Sequence, residues 1–382
     1  MIYLDNNSTT RIDDRVLHEM IPFFVDNYAN ASSRHVEGTK AKKGIELARK
    51  RIGDVINADK NDIYFTSGST EAINTIFKGV IETNQNRQKH IITVKTEHSA
   101  VIEVCRYLEK KGVDITFLDI DKEGLININE LKSSLRESTV LVSVMLVNNE
   151  IGVIQNIGEI SELLKKKNVL FFTDATQGFG KIPIDIKTCP VDFMCFSGHK
   201  IHGPKGIGGI YISENRMSKL EPLLWGGGQE NNFRGGTSNV PAIVGFGLAA
   251  ELAYSEMEIN ENKIKNLRNT LEDRLTKYNW VGVNGKVDRR TYNVSNLTFK
   301  DIEIEPIING SLGIIASNGS ACSSGSDKPS HVLKALGLSD KDTFSSIRFS
   351  MSKFNTEDEI IYAIGQIDNF IKSNYSNKSI NY

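Results

Sequence analysis

Apolar residues change period repeatedly along the chain, and each change marks an element. Val16, Leu17, Met20, Ile21 and Phe24 recur at helical spacing behind Asp13 and Asp14, which can cap such a helix. Ala41, Ile45, Ala48, Ile52 and Val55 give a second helix over 38–56 one apolar face. Between the two, NASSRH (30–35) is polar and rich in side-chain donors. Residues 63–66 read as a strand that enters Ser67-Gly68-Ser69-Thr70-Glu71 and then a helical AINTIFKGVIE. From Lys89 the pattern alternates. Strands are predicted over 90–94, 114–117, 140–147 and 169–173, with helices over 100–110, from Asn129, and over 157–167. A further apolar run, 191–196, suits a buried strand.

This order predicts the α/β class, a mostly parallel sheet with helices on both faces. Ligands of such sheets bind outside the carboxyl ends of the strands. The polar residues just past those ends are therefore Ser69 and Thr70, His98, Asn148 to Glu150, Asp174 to Gln177, and Ser197 to Lys200. Further on, glycines crowd Arg234 and Thr237 in a loop over 225–239, and one long helical region is predicted over 240–277. The last hundred residues carry strands at 292–299 and 346–350 with helices at 302–309, 330–336 and 356–372, as in a separate α+β domain. The domain expectation is a large domain over 14–255 and a small one formed by 1–13 with 256–382.

Composition narrows the class. The 382 residues are 39% hydrophobic and 24% charged, as in an ordinary globular protein. Forty-six basic against 47 acidic residues leave a net charge of -1, so direct nucleic-acid binding is not expected. The N-terminus has no signal-peptide pattern, and no apolar run is long enough for a membrane span. The four cysteines (Cys105, Cys189, Cys195, Cys322) are irregularly spaced, which fits a reducing cytoplasm better than disulfides or structural zinc.

Several residues carry candidate chemistry. A lysine at the mouth of an apolar strand, Lys200, loses solvation, which favours a nucleophilic amine able to hold an aldehyde cofactor. Most lysines, by contrast, are solvated surface charges. Ser197 and His199 beside it can hold a phosphate, as can Ser69 and Thr70 at a helix start, where they equally serve as caps. Asp174 can keep a pyridine nitrogen protonated or simply cap a turn. His98 can stack on a flat ring and shuttle protons, or be an ordinary hydrogen-bonded histidine. Gln177 and Asn149 can donate to a phenolate oxygen, and Arg348 can grip a carboxylate. Cys322 lies in SNGSACSSGSDKPSH (317–331), a loop almost free of large apolar side chains, where a thiolate can be presented to another group. His199 and His202 form an HxxH pair, but no third ligand at zinc spacing accompanies them.

The motifs YLDNNSTT, TSGSTE, KTEHSAV, VNNEIGVIQ, DATQGFGKIPID, SGHKIHGPKGIG, RGGT, NGSACSSGS and IRFS together resemble the cysteine desulfurases, fold-type I pyridoxal-phosphate enzymes. The resemblance runs from Tyr3 to about Ile371. It implies pyridoxal 5'-phosphate as cofactor, L-cysteine as substrate, a homodimer, and a sulfur-acceptor protein. It also implies roles. Lys200 is the Schiff-base lysine, His98 stacks on the ring, Asp174 pairs with its nitrogen, and Gln177 and Asn149 contact cofactor or substrate. Ser69, Thr70, Ser197 and His199 hold the phosphate, with Thr237 arriving from the partner subunit. Arg348 holds the substrate carboxylate, and Cys322 becomes a persulfide. Ala31 stands where housekeeping iron–sulfur members usually carry proline. The chain also ends at SNKSINY, without their long scaffold-docking tail. Both features resemble desulfurases of DNA phosphorothioate modification, which sets the pathway expectation here. Iron–sulfur or tRNA thiolation pathways and selenocysteine lyase are the alternatives, and a catalytically inactive scaffold is the non-enzymatic one.

Overall fold

The structure, a computed structural model, describes residues 1–83, 88–318 and 328–375. Its strands in chain order are β1 (Ile2–Tyr3), β2 (Ile63–Thr66), β3 (His90–Val94), β4 (Asp114–Leu118), β5 (Thr139–Ser143) and β6 (Leu170–Asp174), followed by β7 (Phe193–Ser197), β8 (Gly208–Ile212), β9 (Val281–Val283), β10 (Val294–Phe299), β11 (Ile314–Ile315) and β12 (Ser346–Ser350). Seven form one sheet in the order β2-β8-β7-β6-β5-β3-β4. Neighbours from β7 to β4 are parallel, and β8 is antiparallel to both β7 and β2. Only β8 runs against the rest of this sheet, so the expected mostly parallel arrangement is the observed one.

Adjacent residues of each central strand point to opposite faces. Ile91, Leu141, Phe172 and Phe193 enter a core under the helices Ser69–Thr83 and Ser99–Glu109. Ile92, Val142, Phe171 and Met194 enter another, under the helices Val36–Val55, Ile157–Lys167 and Val240–Ser255. Continuous apolar strands are what a sheet covered on both faces requires. Burying one phenylalanine such as Phe172 contributes about 1.5–3 kcal/mol. The helix Val240–Ser255 lies so close against Val36–Val55 that a Cβ on Gly247 would run into the Ala48 backbone.

The antiparallel strands β12-β10-β9 form a second sheet. Leu297, Phe299, Ile347 and Phe349 pack there with Leu271 and Ile367, from the helices Met257–Leu275 and Glu357–Asn374. Leu4 joins that core, and β1 pairs in parallel with β11. The first residues thus sit with the last hundred, then cross to the large sheet: Thr10 N donates to His199 O (3.0 Å) and Asp13 N to His202 O (2.9 Å).

Two expected elements differ. The apolar run over 140–147 is strand as far as Ser143; beyond it Val144 N and Leu146 N donate to Phe172 O (3.2 Å) and Asp174 O (2.9 Å), and Asn148 Oδ1, accepting from Glu150 N (2.9 Å) and Ile151 N (3.0 Å), then turns the chain. The helical region over 240–277 is two helices that break at Glu256, whose carboxylate is held by Arg15 (2.6 Å) and Lys353 (2.9 Å). Among the described residues, no helix is long and apolar enough to cross a membrane.

Candidate active site

β2, β3, β5, β6 and β7 point the same way, so the polar residues after them meet at one sheet edge. A cavity of about 250 Å³ opens there. Ser69, Thr70, His98, Asn149, Asp174 and Gln177 line it, together with His199, Lys200 and Arg348. Ser197 lies in the adjoining cleft with Ser67, Ser69 and Thr70. Thr237 is exposed and lines a different cleft, beside Glu230 and Arg234, so its own chain does not bring it to the cavity. Cys322 lies outside the described residues.

The turn over 67–71 is locally determined. Glu71 Oε2 accepts from Ser67 N (2.9 Å), and Arg234 holds the same carboxylate at 2.8 and 3.1 Å. A Cβ on Gly208 would meet Gly68 Cα at 2.7 Å, so a side chain there would push β8 away from the turn. The first amides of the helix Ser69–Thr83 have no intrahelical acceptor and, with the hydroxyls of Ser69 and Thr70, make an anion cradle. Burial, with the Lys200, Lys205 and Lys181 cations, brings His199 down to about 4, so it is a neutral hydrogen-bonding partner at pH 7.

Asp174 ends β6 and is 4% exposed. Its Oδ1 accepts from Thr176 N (2.9 Å) and from the Cys195 thiol (3.5 Å). Among the described residues nothing donates to Oδ2. His98 caps the helix Ser99–Glu109, its Nδ1 accepting from Ala100 N at 3.1 Å. Burial lowers its pKa, so the ring is neutral and its proton is on Nε2. Lys200 ends the turn Gly198–Lys200, and its Nζ donates to Asn7 O (2.6 Å) and Ser8 O (2.7 Å). Arg348, 1% exposed, donates to Asn149 O (3.0 Å), Asp5 Oδ1 (2.7 Å) and Ser8 Oγ (2.7 Å).

Asp5, Asn7 and Ser8 escaped residue-by-residue reading, although the polar DNNS directly after an apolar IYL was a signal. So did Lys181 and Glu97, which only burial makes unusual. Among the described residues no three His, Cys, Asp or Glu side chains gather as a metal set.

The donor set fits pyridoxal phosphate. It offers an anion cradle, a buried carboxylate with one oxygen lacking a donor, a neutral imidazole and an amine around one cavity. The aminotransferase class-V family model matches residues 2–362. Cysteine desulfurase IscS of Rickettsia prowazekii (strain Madrid E) is 44% identical over 368 residues, 96% of this chain and 90% of that protein. A NifS-like protein of known structure shares 37% identity at a TM-score of 0.91, covering 97% of this chain and 99% of that one. DndA from Streptomyces lividans shares 34% at a TM-score of 0.78, covering 90% and 98%. The chain therefore belongs to the aminotransferase class-V family, and is a fold-type I, pyridoxal-phosphate-dependent enzyme of the cysteine desulfurase type.

Proposed function

We propose that this protein takes sulfur from L-cysteine, releases L-alanine, and passes the sulfur from a persulfide on Cys322 to an acceptor protein of iron–sulfur cluster assembly. The carrying observation is that Lys200, Asp174, His98 and Arg348 converge on one cavity. Similarity to cysteine desulfurase IscS gives that cavity its reaction. Identity of 44% to that protein over 96% of this chain favours the iron–sulfur alternative over the DNA phosphorothioation expected from Ala31 and the C-terminal residues.

Pyridoxal phosphate, when bound, supplies an aldehyde that condenses with amines and a protonated ring that accepts an electron pair. Ser69, Thr70, Ser197 and His199 would hold its phosphate, Asp174 Oδ2 its ring nitrogen, Gln177 its phenolate oxygen and Lys200 its aldehyde carbon. His98, neutral and fixed through Nδ1, would stack against the ring. Arg348 orients the substrate carboxylate, and its contacts with Asp5 and Ser8 keep the guanidinium from swinging. Lys200 Nζ, which lines the same cavity as Arg348, would serve as the base for the substrate Cα proton. The Cys322 thiolate attacks the substrate sulfur. One S–S bond forms and one C–S bond breaks, and the carbon keeps the electron pair and is protonated to the methyl of alanine. Thr237 is exposed and outside its own chain's cavity, which supports a homodimer in which it serves the partner's phosphate site.

The test is alanine and sulfide release from L-cysteine by the wild type, Cys322→Ala and Lys200→Ala. The expected result is a yellow but inactive Cys322→Ala and a Lys200→Ala that cannot bind the cofactor covalently. Undiminished turnover by Cys322→Ala would replace the persulfide route with direct lyase chemistry.

A further inference from the structure

Lys181 borders the site without a task in this chemistry. It follows Gln177 by one helical turn's spacing and is 9% exposed. Its amine donates to Gln177 Oε1 at 2.9 Å, and among the described residues no carboxylate pairs with it. Burying an amine without a counter-ion costs several kcal/mol, so its position needs a compensating reason.

An ammonium can only donate, so the contact of charged Lys181 fixes the Gln177 amide in one sense. The oxygen faces Lys181, and the NH₂ faces Asn7 O (3.0 Å). Lys200 Nζ donates to that same carbonyl at 2.6 Å. The four groups form one chain: Lys181 amine, Gln177 amide, Asn7 carbonyl, Lys200 amine. The shared carbonyl is itself anchored. Asn7 Nδ2 donates to Asn149 O (3.0 Å), Asn293 donates to Asn7 Oδ1 (3.0 Å), and Asn7 N donates to Ser350 Oγ (2.9 Å).

We propose that Lys181 is a positioning residue that acts through Gln177 and the Asn7 carbonyl to set the place and the proton affinity of the Lys200 nitrogen. The proposal rests on Lys200 being the cofactor-linked lysine. With Lys181 removed, the amide is free to turn its oxygen toward the Asn7 oxygen, and the surroundings of Lys200 lose their fixed polarity. Charge acts in the same direction. Burial, with the Lys200 and Arg348 cations, brings Lys181 down to about 7, and the repulsion between the two lysines acts equally on Lys200. The other groups around the two lysines are the imidazoles of His98, His199 and His202, all shifted toward neutrality, Arg348 with its Asp5 partner, Lys353 with Asp13 and Glu256, and the Asp174 carboxyl.

The experiment follows the absorbance of the bound cofactor against pH, without substrate, in holoenzyme carrying Lys181→Met, Lys181→Arg or Lys200→Ala. Loss of the second cation in Lys181→Met raises the midpoint by about one pH unit. Lys181→Arg, charged at every pH used, gives a midpoint no higher than the wild type. An unchanged midpoint in a folded, cofactor-loaded Lys181→Met overturns the proposal, and so does a rise in Lys181→Arg, which tests it alone where Lys181→Met does not fold. A Lys200→Ala protein that keeps the wild-type titration removes the assignment of Lys200 and this proposal with it. One that loses the titration while Lys181→Met is unaffected removes only the role of Lys181.

Discussion

Asp174 and Cys195 stand opposite each other on β6 and β7, and the Cys195 thiol lies 3.5 Å from Asp174 Oδ1. Burial and the neighbouring carboxylate push the thiol well up, so it stays protonated and donates. With Thr176 N on the same oxygen, both donors leave Oδ2 for the cavity. Asp174→Asn is expected to lower kcat by about 10²–10³-fold, the loss typical of one preorganised electrostatic group. Cys195→Ala removes a neutral hydrogen bond worth about 0.5–1.5 kcal/mol, and its effect stays within about tenfold. Steady-state kinetics on cofactor-loaded variants compare the two.

Glu97 is fully buried, and burial with the nearby Asp174 raises its carboxyl to about 8 from an ordinary 4.5. Its Oε1 accepts from Met145 N at 2.6 Å, and its Oε2 has no partner among the described residues. The folded protein keeps this proton at pH values where the unfolded chain has lost it. Its contribution to stability is therefore full below 4.5 and falls as pH rises toward 8, by up to about 1.4 kcal/mol per pH unit. Glu97→Gln keeps an acceptor for Met145 and should flatten that decline. Urea denaturation across the window measures it.

Arg348 and Asp5 form an ion pair with side chains 1% and 17% exposed. Arg348→Met leaves Asp5 without its cation and is expected to cost about 3–5 kcal/mol of stability. Arg348→Lys keeps charge but loses the planar fork. It should raise KM for L-cysteine about tenfold, read beside its thermal midpoint so that binding and folding losses separate.

The loop bearing Thr237 is anchored by Glu230, whose carboxylate takes two bonds from Arg49 at 2.8 Å and one from Phe65 N at 2.8 Å. Glu230, Asn231 and Asn232 all have left-handed φ angles, 47°, 55° and 67°, a strained run that such an anchor can hold. Glu230→Gln is expected to release the loop, speeding cofactor dissociation while leaving the secondary structure intact. Fluorescence of released cofactor and circular dichroism test the two parts.

The strand-end rule explains how much of the cavity was readable in sequence. Ser69, His98, Asn149, Asp174 and Lys200 each follow an apolar run, and parallel strands bring such positions together whatever their separation along the chain. The direction of β8 was not readable, because an apolar run looks the same either way round. Nor was the break at Glu256, which depends on Arg15 and Lys353, far away in sequence. Lys200 shows the same limit. A strand mouth implied an amine surrounded by apolar groups, whereas two backbone carbonyls from the first ten residues receive it. Tertiary partners of this kind leave no local periodicity. Lys181 likewise looks like any surface lysine until the fold buries it.

The crossing of residues 5–10 between the two sheets has a consequence for biosynthesis. Asp5 and Arg348 are 343 positions apart. At about 5–20 residues per second, a ribosome needs roughly 17–70 seconds to travel between them. Asp5 therefore leaves the ribosome long before its partner exists, and the carbonyls that receive Lys200 are locked only when β12 arrives. The pocket is therefore complete only once β12 has been made, and a group that needs Asn7, Lys200 and Arg348 together has no finished seat before then.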